Sequence, residues 1–211
     1  KGVQQIQATS HAFAAILRDG SVVTWGDALR GGDSSAVQDQ LRSVQQIQAT
    51  LMAFAAILGD GSVVTWGDAD CGGDSSAVRD QLKGVMQIQA TRRAFAAILG
   101  DGSVVTWGND FAGGNNLAVQ DQLKGVQQIQ ATSHAFAAIL GDGSVDTWGD
   151  AGLGGNSSAV RDQLKGVQQI QAGQAFAAIL RDGSVVTWGG AGAGGDSSAV
   201  RDQLKGVQQI Q

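Results

Sequence analysis

Ala12-Phe13-Ala14-Ala15-Ile16-Leu17-Arg18-Asp19-Gly20-Ser21-Val22-Val23-Thr24-Trp25-Gly26 contains two apolar runs separated by Asp-Gly, and nearly the same wording returns at 53–67, 94–108, 135–149 and 175–189. Both central residues of an Asp-Gly turn can take positive φ, so this pair between apolar runs marks an antiparallel hairpin. The first run, Ala12–Leu17, is apolar on both faces, and the second, Val22–Trp25, is β-branched and aromatic, so both read as strands. Upstream, the half-polar Val3-Gln4-Gln5-Ile6-Gln7-Ala8 reads as a third strand, joined through Thr9-Ser10-His11, a link short enough for another antiparallel turn. Downstream, a glycine-rich stretch leads to Asp33-Ser34-Ser35-Ala36-Val37-Gln38-Asp39-Gln40-Leu41, which fits either a short serine-capped helix or an irregular fourth strand.

The period of this wording sets the architecture. Trp25, Trp66, Trp107, Trp148 and Trp188 recur at spacings of 41, 41, 41 and 40 residues, each followed by Gly. The units run 1–41, 42–82, 83–123, 124–164 and 165–204, and residues 205–211 begin a partial sixth that repeats Lys1–Gln7 letter for letter. The fifth unit is one residue short, because Gln171-Ala172-Gly173-Gln174 replaces Gln130-Ala131-Thr132-Ser133-His134. No linker or charge block interrupts the array, so residues 1–211 read as one repeat domain. Hairpin strands apolar on both faces need cover on both sides, which identical neighbours supply. A radial stack of small antiparallel sheets at this repeat length is an all-β β-propeller, here with five blades of three to four strands. The alternatives are part of a seven-bladed ring or an open arc with two apolar faces uncapped. In a closed five-blade ring Lys1–Gln7 and Lys205–Gln211 compete for one strand position, and the expectation is closure by one of them. With the first strand innermost, Gln5 and Gln7 would line a channel and hydrogen-bond between blades.

The repeated string resembles the blade of the regulator of chromosome condensation family, which reads small-x-x-His, an apolar strand, Gly-x-Val and then Trp-Gly. The resemblance covers all five units. His11 and His134 match the family histidine, whereas Met52, Arg93 and Gln174 replace it elsewhere, and Ala8 stands where the family usually has Gly. It implies a propeller fold, usually of seven blades. The founding member is a guanine-nucleotide exchange factor, an activity associated with an inserted β-wedge, and units of uniform length leave no such insertion. Ubiquitin ligases also carry such propellers, so an exchange-factor or ligase-associated fragment is one alternative that the resemblance implies. A bacterial β-lactamase inhibitor that resembles the family acts purely by binding and has the nearest layout. Arrays of this wording also resemble algal proteins, which implies a second alternative, a structural accessory subunit of a larger assembly such as a photosynthetic complex.

Composition and motif spacing narrow the chemistry. The 211 residues include 32 Gly, no Pro and no Tyr, and carry a net charge of −5. Fourteen basic residues against nineteen acidic ones, evenly spread, make no basic stripe for a nucleic-acid backbone. Apolar runs are about six residues long, against roughly 20 for a membrane helix, so no span is expected. His11 and His134 lack the companion ligands of a metal centre, and the Gly-Gly pairs lack dinucleotide or phosphate-loop spacing, so no metal, cofactor or nucleotide site is expected. A nucleophile needs one unique environment, yet Ser and Asp recur in every unit, so no enzyme is expected. Cys71 is the sole cysteine, reads as a surface or loop thiol, and suits a reducing intracellular compartment: cytosol, nucleus or plastid.

The copies differ from one another mainly in two places. One is the turn between the first two strands, with Leu51, Met52, Arg92 and Arg93; the other follows Trp-Gly, with Arg30, Phe111 and Leu153. In an up-down-up sheet these two places share one rim, and the uniform Asp-Gly hairpins share the other. Together with Leu117, these residues form the candidate partner-binding surface, since Arg, Met and aromatic side chains are enriched at interface cores. The expected function is therefore a non-enzymatic interaction or scaffolding propeller that holds a protein partner. Asp146 is a separate oddity, because it replaces the valine found at Val23, Val64, Val105 and Val186.

Overall fold

A computed structural model describes residues 2–210. Five three-stranded antiparallel sheets follow one another along the chain. They are β1 (Val3–Ala8), β2 (Ala12–Leu17) and β3 (Val22–Gly26); β4 (Val44–Ala49), β5 (Ala53–Leu58) and β6 (Val63–Gly67); β7 (Val85–Ala90), β8 (Ala94–Leu99) and β9 (Val104–Gly108); β10 (Val126–Ala131), β11 (Ala135–Leu140) and β12 (Val145–Gly149); and β13 (Val167–Ala172), β14 (Ala175–Leu180) and β15 (Val185–Gly189). The expected five-bladed β-propeller architecture is present, with three strands per blade. Within each hairpin Asp19, Asp60 and their counterparts accept from the Ser two residues on, as in Ser62 N to Asp60 Oδ1 at 2.9 Å, which closes the turn locally. A bulge beside the first residue of each innermost strand, between Val3 and Gln5 in blade 1, recurs in every sheet.

The stretch after Trp-Gly makes no fourth strand. It forms short 3-10 turns such as Ala28–Arg30 and Ser35–Val37, and Ser34 Oγ meets Thr24 Oγ1 at 3.0 Å to hold it along the outer strand. The first strands of successive blades lie against one another, so β1, β4, β7, β10 and β13 are innermost. Gln5 and Gln7 are half-buried, but among the described residues no hydrogen bond joins these glutamines between blades.

The core lies between blades. Ala12, Ala14, Ile16 and Leu41 on the trailing face of blade 1 pack against Ile47, Phe54 and Trp66 on the leading face of blade 2. The same arrangement recurs at the next three junctions. Small residues on one side accept bulky ones from the other. Gly31 (φ +95°) shows why glycine is required there: a Cβ would lie 2.6 Å from the Phe54 ring. Trp66 Nε1 then donates to the Gly31 carbonyl at 3.0 Å, and Trp107, Trp148 and Trp188 do the same to Gly72, Gly113 and Gly154. Each junction is thus stitched by one indole to one glycine carbonyl. At the other rim each unit is linked to the next by a backbone bond, Val44 N to Gly20 O and its counterparts, at 2.9 Å.

The described residues do not close a ring. Among the described residues no strand pairing or hydrogen bond joins blade 5 to blade 1, and residues 205–210 form no strand. Closure by either copy of the duplicated segment is therefore not what the fold adopts. Phe13 and Trp25, on the leading face of blade 1, are 43% and 45% exposed, whereas Phe54 and Trp66 are 0% and 5% exposed.

Candidate functional site

The two variable segments meet on one rim and are bonded together. Thr9 Oγ1 accepts from Ala12 N at 2.9 Å, which shapes the first turn, and donates to the Arg30 carbonyl at 3.1 Å, which ties that turn to the segment after Trp-Gly. Thr50, Thr91 and Thr132 make the same contact to the carbonyls of Cys71, Ala112 and Leu153. A backbone bond runs beside it, as in Asp68 N to Met52 O at 2.9 Å. The shortened turn of unit 5 has no threonine and so lacks this staple; there Gly173 N bonds only to Ala175 O, at 3.0 Å.

Successive turns also join across blades. Ser10 N donates to Leu51 O, Leu51 N to Arg92 O and Arg92 N to Ser133 O, each at 2.9 Å, and the series ends where unit 5 loses its residue. These four turns border an open cavity of about 400 Å³. Leu51, half-buried, and Arg92, exposed, line it.

The remaining candidates divide by direction. In the 3-10 turn after Trp-Gly of units 1 to 4, one position points outward and the next is buried or half-buried. Phe111 is 84% exposed on the outward position and Leu29, on the same position of unit 1, is 83% exposed. Arg30, Cys71, Ala112 and Leu153 occupy the inward position. Arg30 is half-buried and paired with Asp27 at 3.2 Å, and Leu153 is half-buried. Met52 packs against the core between blades 2 and 3. Arg93 is half-buried beside the Cys71 thiol, and its Nε has no hydrogen-bond partner among the described residues. Cys71 is fully buried, which corrects the expectation of a surface thiol; burial pushes its thiol up, opposed by the Arg93 guanidinium. Leu117 is exposed but lies off the rim, on the flank beside Val78 and Val104. Of the large side chains on the rim, Leu29, Arg92 and Phe111 are therefore exposed, and Leu51 is half-buried. Leu29 escapes a reading based on charge and aromaticity, although its register with Phe111 would have found it.

Asp146 sits on the leading face of blade 4, 9% exposed, in a cleft of about 410 Å³ that also holds Asn115, Asn116 and Asn156. Arg161 Nη2 lies 3.9 Å from its carboxylate. Burial raises the Asp146 carboxyl above the ordinary range, and Arg161 partly offsets this. Among the described residues no group of His, Cys, Asp or Glu has the arrangement of a metal site. No helix among them is long and apolar enough to cross a membrane.

No family model matches this chain, and no curated protein does. Solved structures do. Yeast RCC1 (Prp20), determined bound to Kap60, is 18% identical with a TM-score of 0.58, over 89% of this chain and 56% of that one. Human WBSCR16 is 18% identical with a TM-score of 0.58, over 99% and 65%. The ectodomain of the Physcomitrella patens receptor kinase CR4 is 16% identical with a TM-score of 0.55, over 89% and 52%. The chain thus spans 52–65% of the length of these structures, and its fold is that of RCC-type β-propellers.

Proposed function

We propose that the protein is a non-enzymatic interaction or scaffolding propeller that holds a protein partner across the variable rim. The observation that carries this reading is the concentration of sequence differences on one bonded rim, with Leu29, Arg92 and Phe111 exposed and Leu51 half-buried beside them over a repetitive scaffold. Loops held by a rigid frame are where binding residues usually sit. Exposed aromatic, Arg and Leu groups also offer anchors for a desolvated contact. Fold neighbours lend support by analogy: the yeast protein Prp20 was solved with Kap60, and its binding properties to Gsp1p and histones are described. The buried, unpaired Cys71 suits a reducing intracellular compartment.

The test is affinity capture from a native extract with the intact chain and with an Arg92→Ala, Phe111→Ala double variant. Recovery of the partner should fall at least tenfold while the melting temperature stays unchanged, since both side chains are exposed. Equal recovery by the two proteins would rule the rim out as the binding face.

A further inference from the structure

The junction between blades 3 and 4 carries a buried charge that the other three lack. On the leading faces of blades 2, 3 and 5, Val64, Val105 and Val186 join the apolar core of the junction, each 7% exposed. Asp146 holds that position in blade 4, stands outside the apolar core there and is 9% exposed. Among the described residues it is the one buried acidic or basic side chain. The clefts beside Val64, Val105 and Val186 measure about 150, 250 and 320 Å³, and the cleft over Asp146 about 410 Å³. Blade 3 packs on blade 2 and blade 4 on blade 5, so this cleft is internal to the array.

Asp146 accepts no hydrogen bond from any described residue, and its ion pair with Arg161 is long, 3.9 Å, to a side chain that is 67% exposed. The equivalent arginines behave differently: Arg79 donates to Gln40 of the preceding unit at 3.4 Å, and Arg201 to Gln163 at 3.1 Å. Arg161 makes no such bond to Gln122. A carboxylate withdrawn from water needs donors at hydrogen-bond distance to offset its lost hydration, and the described residues supply none. Other departures from the repeat border the same cleft. Asp110 stands where the other units have Ala28, Ala69, Ala151 and Ala191, and Asn115 and Asn156 replace Asp33, Asp74 and Asp196. Their Oδ1 atoms accept from Leu117 N at 3.0 Å and Ser158 N at 2.9 Å, as the aspartates accept from their serines. The turn is thus kept while an amide NH2, with no partner among the described residues, takes the place of a carboxylate oxygen.

We propose that this cleft binds an organic cation, an alkyl guanidinium or ammonium group that donates to the Asp146 carboxylate while a neighbouring carbonyl or hydroxyl of the same ligand accepts from Asn115 or Asn156. The sign of the charge follows from the lining, where Asp110 and Asp146 stand against the single cation Arg161. A guanidinium presents paired N–H donors that match both oxygens of a carboxylate, which makes it the better of the two groups. The cleft is large enough for such a group and part of the chain that carries it. Arg161, exposed and free of Gln122, is a competitor for the carboxylate and gives way as the ligand enters. A place where one copy of a repeat breaks the rule that the others keep is where a functional site is expected. None of Leu29, Arg92 and Phe111 lines the cleft, so this proposal and the rim reading are tested separately. Two sources carry the same chemistry, a free small amine and a basic residue of a peptide.

The experiment is calorimetric titration of the intact chain with Nα-acetyl-arginine amide, with agmatine, and with Nα-acetyl-citrulline amide, the neutral counterpart of the first. The arginine amide should bind about tenfold or more tightly than the citrulline amide, the worth of a charge-assisted hydrogen bond over a neutral one. Asp146→Asn and Asp146→Val should each lose this preference. Arg161→Ala, which removes the competing cation, should bind the arginine amide more tightly than the intact chain does. Thermal melting of each variant checks folding, and Asp146→Val, which restores the side chain of the other blades, carries the test should Asp146→Asn fail to fold. Agmatine binding as tightly as the arginine amide would identify a free small cation as the ligand, and weaker agmatine binding a basic residue of a peptide. An intact chain that binds neither cation, equal affinity for the arginine and citrulline amides, undiminished binding by the Asp146 variants, or weaker binding by Arg161→Ala would each overturn the proposal.

Discussion

Phe13 and Trp25 in blade 1 and Phe54 and Trp66 in blade 2 occupy the same positions of nearly the same wording, and both pairs stack with ring centroids 5.2 Å apart. The stack is made within a blade and survives in both places. Burial is made between blades and differs between the two: the second pair lies under the Ala12, Ala14 and Gly31 surface of blade 1, and the first pair, 43% and 45% exposed, has no blade over it among the described residues. The difference teaches that a blade specifies its own shape but draws its apolar stabilisation from the blade before it.

The strongest way to break this comparison is to truncate the same ring in both places. Phe54→Ala should lower unfolding free energy by about 3–5 kcal/mol, the usual loss for a fully buried Phe. Phe13→Ala should cost about 1 kcal/mol, because the ring keeps much of its contact with water in the folded state. Chemical denaturation at a concentration where the chain is monomeric measures both; equal losses would mean that blade 1 is covered after all.

A second pair sharpens the polar side of the junction. Trp66→Phe removes the donor to Gly31 O and leaves that buried carbonyl without its indole, which should cost about 1–3 kcal/mol. Trp25→Phe removes no such bond and should change unfolding free energy by less than about 0.5 kcal/mol, as surface substitutions do.

The smallest effect concerns the junction between blades 3 and 4, where a carboxylate takes the place of an apolar group. Asp146→Val should raise stability by about 1 kcal/mol at neutral pH, since burying a charge with only a long ion pair is unfavourable. The sign of the pH dependence follows from burial, which raises the folded-state value above the unfolded one. The carboxyl's favourable contribution is thus fully present below its unfolded value and is lost as pH rises through the folded value. The advantage of Asp146→Val should therefore narrow as pH falls toward 3.8, the ordinary carboxylate value. The hairpin carboxylates of Asp60, Asp101 and Asp182 are lowered by their serine partners, but they are common to both proteins and cancel; Asp142 is lowered likewise, and its charge adds to the rise at Asp146, in the same direction as burial. Melting curves of both proteins across this range give the comparison, and an advantage that does not change with pH would exclude ionisation as its cause.

Much of the site is legible in the sequence. An Asp-Gly turn and two adjacent strand runs suffice to put the Thr9–His11 turn and the end of β3 on one rim, because antiparallel strands alternate in direction. Which side chains on that rim face outward was not legible. Phe111 and Arg30 lie one register position apart in a 3-10 turn, and only its φ and ψ values send one to solvent and the other inward. Arg93 and Cys71 lie 22 positions apart and meet only because one blade packs on the next.

Local wording and period alone determined the five units, the first three strands of each and the position of every hairpin, since turn chemistry and strand alternation act over a few residues; that no fourth strand follows was decided by the tertiary structure. Whether the last blade reaches the first was decided only in three dimensions. Closure depends on the small rotation at each junction summed over the array, a quantity set by how far Phe and Trp sink into the neighbour's Ala and Gly and not by any single stretch of chain.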